Sequence, residues 1–343
     1  MKETFLHRKR KHLALALAAI VVALGCAAYY FIYADFTRQA DCTIYIRDGE
    51  TTEQVFARLD SVAAPGHAAS FRFLARMTGY GPAVRAGHYL VSKTSTLDLL
   101  RHLKNGIQEP VRIHVPVVNL PQDLAKRLAK KLATDSASFA TAFADSALLS
   151  TYDLKPAELF CMILPDTYEL YWDLTPKAFL DRMQRENKRF WNDERQAKAK
   201  AAGLTPKEVV TLASIVEKET ANKEEKPTIA SLYLNRLRKG MKLGADPTVK
   251  FAVGDFALRR ILNKHLQTDS PYNTYQHEGL PPGPICLPAR ESIEAVLNYE
   301  PNEYLYMCAK EDFSGRHNFA RTGEEHMANA RRYQKALNER GIK

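Results

Sequence analysis

The run from Leu13 to Tyr33 carries no charged side chain, and Asp35 follows one residue beyond it. It is about the length an α-helix needs to cross a bilayer. A chain that opens this way divides its residues between two compartments before any other folding rule applies. Lys2, Arg8, Lys9, Arg10 and Lys11 precede the run, whereas Asp35, Arg38 and Asp41 give mixed charge after it. The positive-inside rule then keeps the N-terminus in the cytoplasm. Tyr29, Tyr30, Phe31 and Tyr33 supply an aromatic belt on the far side. A cleaved signal peptide is disfavoured, because the run ends in bulky aromatics and lacks a small-residue cleavage site. Ala23-Leu24-Gly25-Cys26 has the look of a lipoprotein cleavage site, but the apolar stretch continues past the cysteine. The expectation is a cytoplasmic basic tail over 1–12, a transmembrane helix over 13–33, and everything else outside the cytoplasmic membrane, anchored by that one helix.

The remainder is long enough for two or three domains within the 343 residues. With 45% hydrophobic and 26% charged residues, it describes a folded protein and not a disordered one. The net charge of +10 is spread along the chain, with no Lys/Arg tract outside the N-terminus, so nucleic acid is not favoured as a partner. Cys26, Cys42, Cys161, Cys286 and Cys308 form neither a CxxC nor a zinc-ligand pattern. Cys286 and Cys308 are the pair that an oxidising compartment could join.

Periodicity and caps give a coarse organisation. Residues 43–106 read as a small α+β module, with strands at Thr43–Ile46 and His88–Val91. Its helices are expected over Glu53–Leu59, over Phe71–Met77, and from a Ser95 or Thr96 cap to Asn105-Gly106. Val111–Val118 alternates as a strand. Helices follow over Gln122–Ala133 and Phe139–Leu149, and a long one from Pro176 to about Ala202. Asn222-Lys-Glu-Glu225 has the capping-box pattern and opens a helix ending near Gly240. Residues 241–319, rich in Pro, Gly, Asn, Asp and Tyr, read as loops shaping a cleft, with a strand-like piece at Tyr304–Cys308. A last helix runs from Gly323 to Arg340.

One helix stands out chemically. Thr205-Pro206-Lys207-Glu208 is a capping box with proline at the first helical position. In the helix it opens, Leu212, Ile215, Val216 and Glu219 fall within about 60° of one another, and Glu217 lies about 200° from Glu219. Glu219 therefore occupies a position where leucine is expected, and Glu217 points toward Ala213 and water. A carboxyl group held against apolar neighbours has its charged form disfavoured and its pKa raised. Such a group can serve as a proton donor near neutral pH. The bland alternative is a boundary glutamate that reaches out to solvent or pairs with a Lys or Arg.

Ser214-Ile-Val-Glu-Lys-Glu-Thr220, Asp246-Pro-Thr-Val249 and Tyr272-Asn-Thr-Tyr275, followed by Gly279-Leu-Pro-Pro-Gly283, occur in that order. Leu164-Pro-Asp-Thr-Tyr168 and Gly87-His-Tyr, ahead of the Leu99-Leu100 helix, accompany them. In these motifs the chain resembles the YceG-like family of membrane-anchored endolytic murein transglycosylases. The resemblance implies an α+β chain with three parts: the N-terminal transmembrane helix, a small LysM-like α+β module over 40–108, and a larger mixed α+β YceG-like catalytic domain over 109–343. It implies Glu219 as the catalytic residue, with Glu217 as runner-up. Two departures stand out. Leu243-Gly244-Ala245-Asp246 lacks the glutamine that the family usually has before the small residue. Cys161-Met-Ile-Leu164 replaces the usual Gly-Tyr-Leu-Phe.

The implied reaction is non-hydrolytic cleavage between N-acetylmuramic acid and N-acetylglucosamine in nascent peptidoglycan, leaving 1,6-anhydro ends and terminating glycan polymerisation. Asp246 is expected to orient substrate or offset positive charge. Tyr272, Asn273 and Tyr275 are expected to hold sugar hydroxyls or stack on pyranose faces. His317 is a cleft hydrogen-bonding candidate, and Asn235 and Arg236 are candidates for orienting Glu219. Asp166 and Tyr168 are expected to brace the domain. No metal or cofactor is expected, since the histidines lack ligand spacing and no Gly-rich phosphate loop is present. Partners implied by the family are peptidoglycan glycan strands and cell-wall synthases, the penicillin-binding proteins. Two other readings stay open: a hydrolytic muramidase using Asp246 or Asp166 as partner carboxylate, and a non-catalytic glycan-binding scaffold for the synthases.

Overall fold

The computed structural model describes residues 2–81, 84–258 and 260–341. The chain forms two compact units. The first comprises residues 1–112, 131–133 and 169–174, and the second 113–130, 134–168 and 175–343.

The first unit begins with α1 (Lys2–Tyr33). Among the described residues this is the one helix long and apolar enough to cross a membrane. Leu15, Val21 and Leu24 on it are exposed, with no protein packed over them. Its last turn meets protein. Tyr30 and Phe31 lie edge-on to His67, with ring centroids 5.6 and 5.4 Å away, so part of the expected aromatic belt is turned inward. Gly66 makes that approach feasible, because the Phe31 ring occupies the place a Cβ would take. β1 (Thr43–Ile46), α2 (Thr52–Val62), α3 (His67–Met77), β2 (Gly87–Leu90) and α4 (Thr96–Asn105) complete the unit. β1 and β2 pair antiparallel, with Thr43 opposite Leu90 and Ile46 opposite Gly87. Ile44 and Ile46 point inward onto Val55, Phe56, Leu59, Phe71, Tyr89 and Leu99, while Thr43 and Tyr45 face out, as a period of two requires. Thr51 and Gln54 close a capping box on α2. Ser95 caps α4, and Gly106 ends it in the left-handed conformation.

β3 (Val111–Val115) pairs with β4 (Asp166–Leu170) in a two-stranded sheet. Between them come α5 (Pro121–Ala129), α6 (Ser136–Ala144), α7 (Ser146–Ser150) and a 3₁₀ turn at Pro156–Cys161. The single helix expected over Phe139–Leu149 is two, because the Asp145 side chain accepts from the Ala147 and Leu148 N–H groups and starts a new helix. The long helix expected to Ala202 is likewise two, α8 (Pro176–Phe190) and α9 (Asp193–Ala202). Asn192 caps the second by accepting from Arg195 N–H at 3.0 Å.

α10 (Pro206–Glu219) is the central element of the second unit. Every residue from Val209 to Val216 is buried, against α9, α11 (Lys226–Arg238), α12 (Asp246–Val253), α14 (Arg290–Leu297) and the 3₁₀ turn. A helix apolar on all sides belongs inside a core. α11 does not start through the expected Asn222 capping box. Asn222 accepts from Glu224 N–H in a turn, and Pro227, which has no N–H to leave unpaired, sets the first helical turn. The region read as loops also contains helices, namely α12, the short α13 (Asn263–Leu266) and α14. β5 (Tyr306–Ala309) and β6 (His317–Ala320) form an antiparallel hairpin, and α15 (Gly323–Glu339) packs on it. All five cysteines are free, including Cys286 and Cys308.

Candidate active site

α10 ends at Glu219, and the preceding serine explains how the helix is seated. Ser214 is fully buried, donates to Thr211 O, and accepts from Ile285 N–H at 3.0 Å. The Gly279-Leu-Pro-Pro-Gly-Pro-Ile285 segment is thereby pinned to α10. Gly283 is needed within it because a Cβ would run into the Ala157 carbonyl.

Glu219 is half-buried, and its carboxyl opens onto a cavity of about 230 Å³. Tyr233, Arg236, Asp246, Tyr275 and His317 share that lining. Glu219 Oε1 accepts the Tyr233 hydroxyl at 2.5 Å. Burial pushes the Glu219 carboxyl up to about 7, and the Asp246 charge adds to the rise. The Tyr233 hydrogen bond and the cations Arg236 and Lys250 oppose it. Desolvation wins because no cation touches the carboxylate directly. Tyr233 is itself fully buried, and burial together with its acidic neighbour holds the phenol well above its ordinary pKa. It therefore remains a donor.

Asp246 begins α12 and accepts the Tyr275 hydroxyl at 2.7 Å. Burial and that bond raise the Tyr275 phenol, so it too keeps its proton. The Asp-Pro-Thr-Val motif is fixed from below. Thr248 and Thr274 hydroxyls meet at 2.8 Å, and Thr274 Oγ1 accepts from Ala245 N–H at 3.0 Å. Gly244, where the family's glutamine would stand, has φ +53° and lies on the cleft wall between Arg236 and Tyr275.

Other candidates are placed differently. Asn273 is fully buried and holds its own loop together, donating to Leu266 O and Thr268 O and accepting from Tyr275 N–H. Tyr272 packs on Phe251, with ring centroids 4.6 Å apart, and is not among the residues lining the cleft. Asn235 does not touch Glu219; it donates to Asn302 O and Tyr304 O and fixes that loop. Arg236 bonds Leu305 O and Leu243 O, so it reaches Glu219 through charge alone. His317 lines the cleft, with Nδ1 3.1 Å from Glu225 Oε2 and its backbone N–H on Oε1. Glu217 does not face water. It accepts from Lys226 Nζ at 2.9 Å and from the Ser292 hydroxyl, and Lys226 also donates to Ser292. Asp166 pairs with Arg290 at 2.8 Å, and Tyr168 donates to Leu164 O.

Sequence reasoning missed Tyr233, which lies among the buried apolar residues of α11, and Glu225 behind His317. A usable signal existed for the first, because a tyrosine among core residues needs a partner for its hydroxyl.

The family model described as the YceG-like family matches residues 44–332. The chain is 42% identical over 132 residues to the endolytic murein transglycosylase of Bacillus subtilis (strain 168), covering 38% of this chain and 36% of that one. It is 26% identical over 351 residues to the endolytic murein transglycosylase of Streptococcus pneumoniae serotype 2 (strain D39 / NCTC 7466), covering 92% and 63%. It thus spans less than two thirds of the length of these curated relatives. The crystal structure of a YceG-like protein from Listeria monocytogenes superposes with a TM-score of 0.56 at 25% identity, over 84% of this chain and 98% of that one. Since the family's pattern runs through most of its length, this chain belongs to the YceG-like family.

Proposed function

We propose that the chain is an endolytic peptidoglycan lytic transglycosylase in which Glu219 is both acid and base. The observation that carries this reading is a carboxyl raised to about 7 at the edge of a polar cleft, hydrogen-bonded to a phenol and not to a cation. Protonated Glu219 gives its proton to the glycosidic oxygen as the bond from the muramoyl anomeric carbon breaks. The resulting carboxylate takes the proton of the muramoyl 6-hydroxyl as that oxygen bonds to the same carbon. The 1,6-anhydro ring closes, no water is consumed, and Glu219 is protonated again. Tyr233 holds Oε1, which leaves Oε2 for the substrate. Asp246, kept in place by Tyr275, offsets the oxocarbenium-like charge. The relatives' name supports the same chemistry.

The surroundings are part of the proposal. α1 anchors the chain in the inner membrane as a single pass, with its basic end in the cytoplasm and the catalytic unit on the extracytoplasmic side. The strand–helix–helix–strand order of residues 43–90 supports a LysM-like module. Nascent glycan strands are the substrate, and cell-wall synthases are the neighbours that supply them.

Asp246 shares the cleft with Glu219, so hydrolysis with Asp246 activating water is the second reading. Mass spectrometry of the ends formed on uncross-linked glycan strands separates the two. Anhydro ends are expected, and reducing muramic acid ends would overturn the transglycosylase reading. Cleavage by Glu219→Gln at the wild-type rate would remove Glu219 from the chemistry.

A further inference from the structure

Beside the cleft just described lies a larger cavity of about 770 Å³ that shares only Glu219 and Asp246 with it. Its size is that of a ligand pocket, and it is several times what a bound water or ion needs. Lys218, Lys250 and Arg260 line it, and α15 closes the far side with Tyr333 and Leu337. These cations differ from the other basic residues around the site. Arg236 is spent on Leu305 O and Leu243 O, Lys226 on Glu217 and Ser292, and Arg290 on Asp166. Among the described residues, no ion pair or hydrogen bond is made by the side chain of Lys218, Lys250 or Arg260. The cavity's two acids offset them only in part, because Glu219 holds its proton up to about 7 and Asp246 is then the one carboxylate facing three cations.

The three cations and Glu219 line the same cavity, so its charge suits an anionic group borne by the substrate close to Glu219. In a peptidoglycan strand the sugar backbone is uncharged, and the anions are the carboxylates of the peptide on the muramoyl lactyl ether. We propose that the Lys218–Lys250–Arg260 chamber is the subsite for these peptide carboxylates, so that the protein selects glycan that still carries its charged peptides. The inference rests on the glycan-cleaving reading of the site, which the product-end experiment tests separately.

The test uses the full chain with Glu219→Gln, so that bound strands persist, and a fluorescent uncross-linked glycan strand in two forms. One form has free peptide carboxylates, and the other has the same carboxylates converted to methyl amides. The parent is expected to bind the free form about tenfold more tightly, the scale of a few partly exposed ion pairs, with the preference collapsing at high salt. Adding Lys218→Gln and Arg260→Gln should reduce that preference to within about twofold while leaving affinity for the amidated strand unchanged, which also certifies the fold. Arg260→Lys should retain most of it. Equal affinity of the parent for both strands, or an undiminished preference in the double variant, overturns the proposal. Either outcome is distinguishable from a failure of the catalytic reading, which shows instead as absence of anhydro ends with the wild-type chain.

Discussion

Glu217 and Glu219 lie two residues apart on α10 and occupy opposite kinds of site. Glu217 closes a triangle with Lys226 and Ser292, in which the cation and both hydroxyl and ammonium donors are protein groups. Glu219 has a phenol for a partner, a second carboxylate nearby, and open space beyond. One glutamate is a fastener between α10, α11 and α14, and the other is the proton carrier of the proposed reaction. What separates them is the partner each side chain finds, because residue type and helix are the same.

The largest expected effect separates the two directly. Glu219→Gln should lower glycan cleavage by about 10³-fold with thermal stability kept, since a positioned acid contributes 10²–10⁴. Glu217→Gln should do the reverse. Cleavage should remain within several-fold of wild type, while stability falls by about 3 kcal/mol as Lys226 loses its counter-charge in a mostly buried site. A Glu217→Gln protein as stable as wild type in denaturant titration would break the contrast.

A smaller effect appears in the pH dependence of stability. The folded value for Glu219 is about 7 against an unfolded 4.5, so the folded state binds this proton more tightly. Its contribution is fully present below the unfolded value and is lost as pH rises through 7. Wild type should therefore lose up to about 2 kcal/mol relative to Glu219→Gln across that window, allowing for the carboxyl's partial exposure. Parallel stability curves for the two proteins would show that Glu219 is not desolvated.

The smallest effects sharpen the origin of the raised value. Asp246 raises it and the Tyr233 bond lowers it. In the alkaline limb of the cleavage–pH profile, Asp246→Asn should move the midpoint down and Tyr233→Phe should move it up. Shifts in the same direction would mean that charge and hydrogen bond are not the controlling influences.

The sequence made legible whatever is governed by local rules. The Thr205 capping box, a helix start at Ser95 or Thr96, the strand at Thr43–Ile46 and the placement of Glu219 on the apolar face follow from local pattern alone. Contacts set by how helices cross were hidden. Tyr233 reaches Glu219 only because α11 folds back on α10, and nothing in the α11 periodicity distinguishes that tyrosine from its apolar neighbours. Glu217 was assigned to water because its partner Ser292 sits on α14, an eight-residue helix flanked by proline-rich text that reads as loop. The break at Asn192 was missed for a different reason. Lys and Arg continue on both sides of it, and only the side-chain cap reveals the restart. Asn273 misled in the opposite way: an exposed-looking polar residue beside two tyrosines turned out to be the internal brace of its loop.

The way α10 is held also bears on the order in which the protein is made. Ser214 waits for Ile285, which follows 71 positions later, and Glu217 and Lys226 wait for Ser292, 75 and 66 positions later. A chain that emerges from its N-terminus therefore completes the helix bearing Glu219 well before it has the residues that seat it. During that interval the acid is present but its surroundings are not. If the proposed function holds, such a chain has no competent site until α14 and the β5–β6 hairpin, which completes the cleft lining, have both been added.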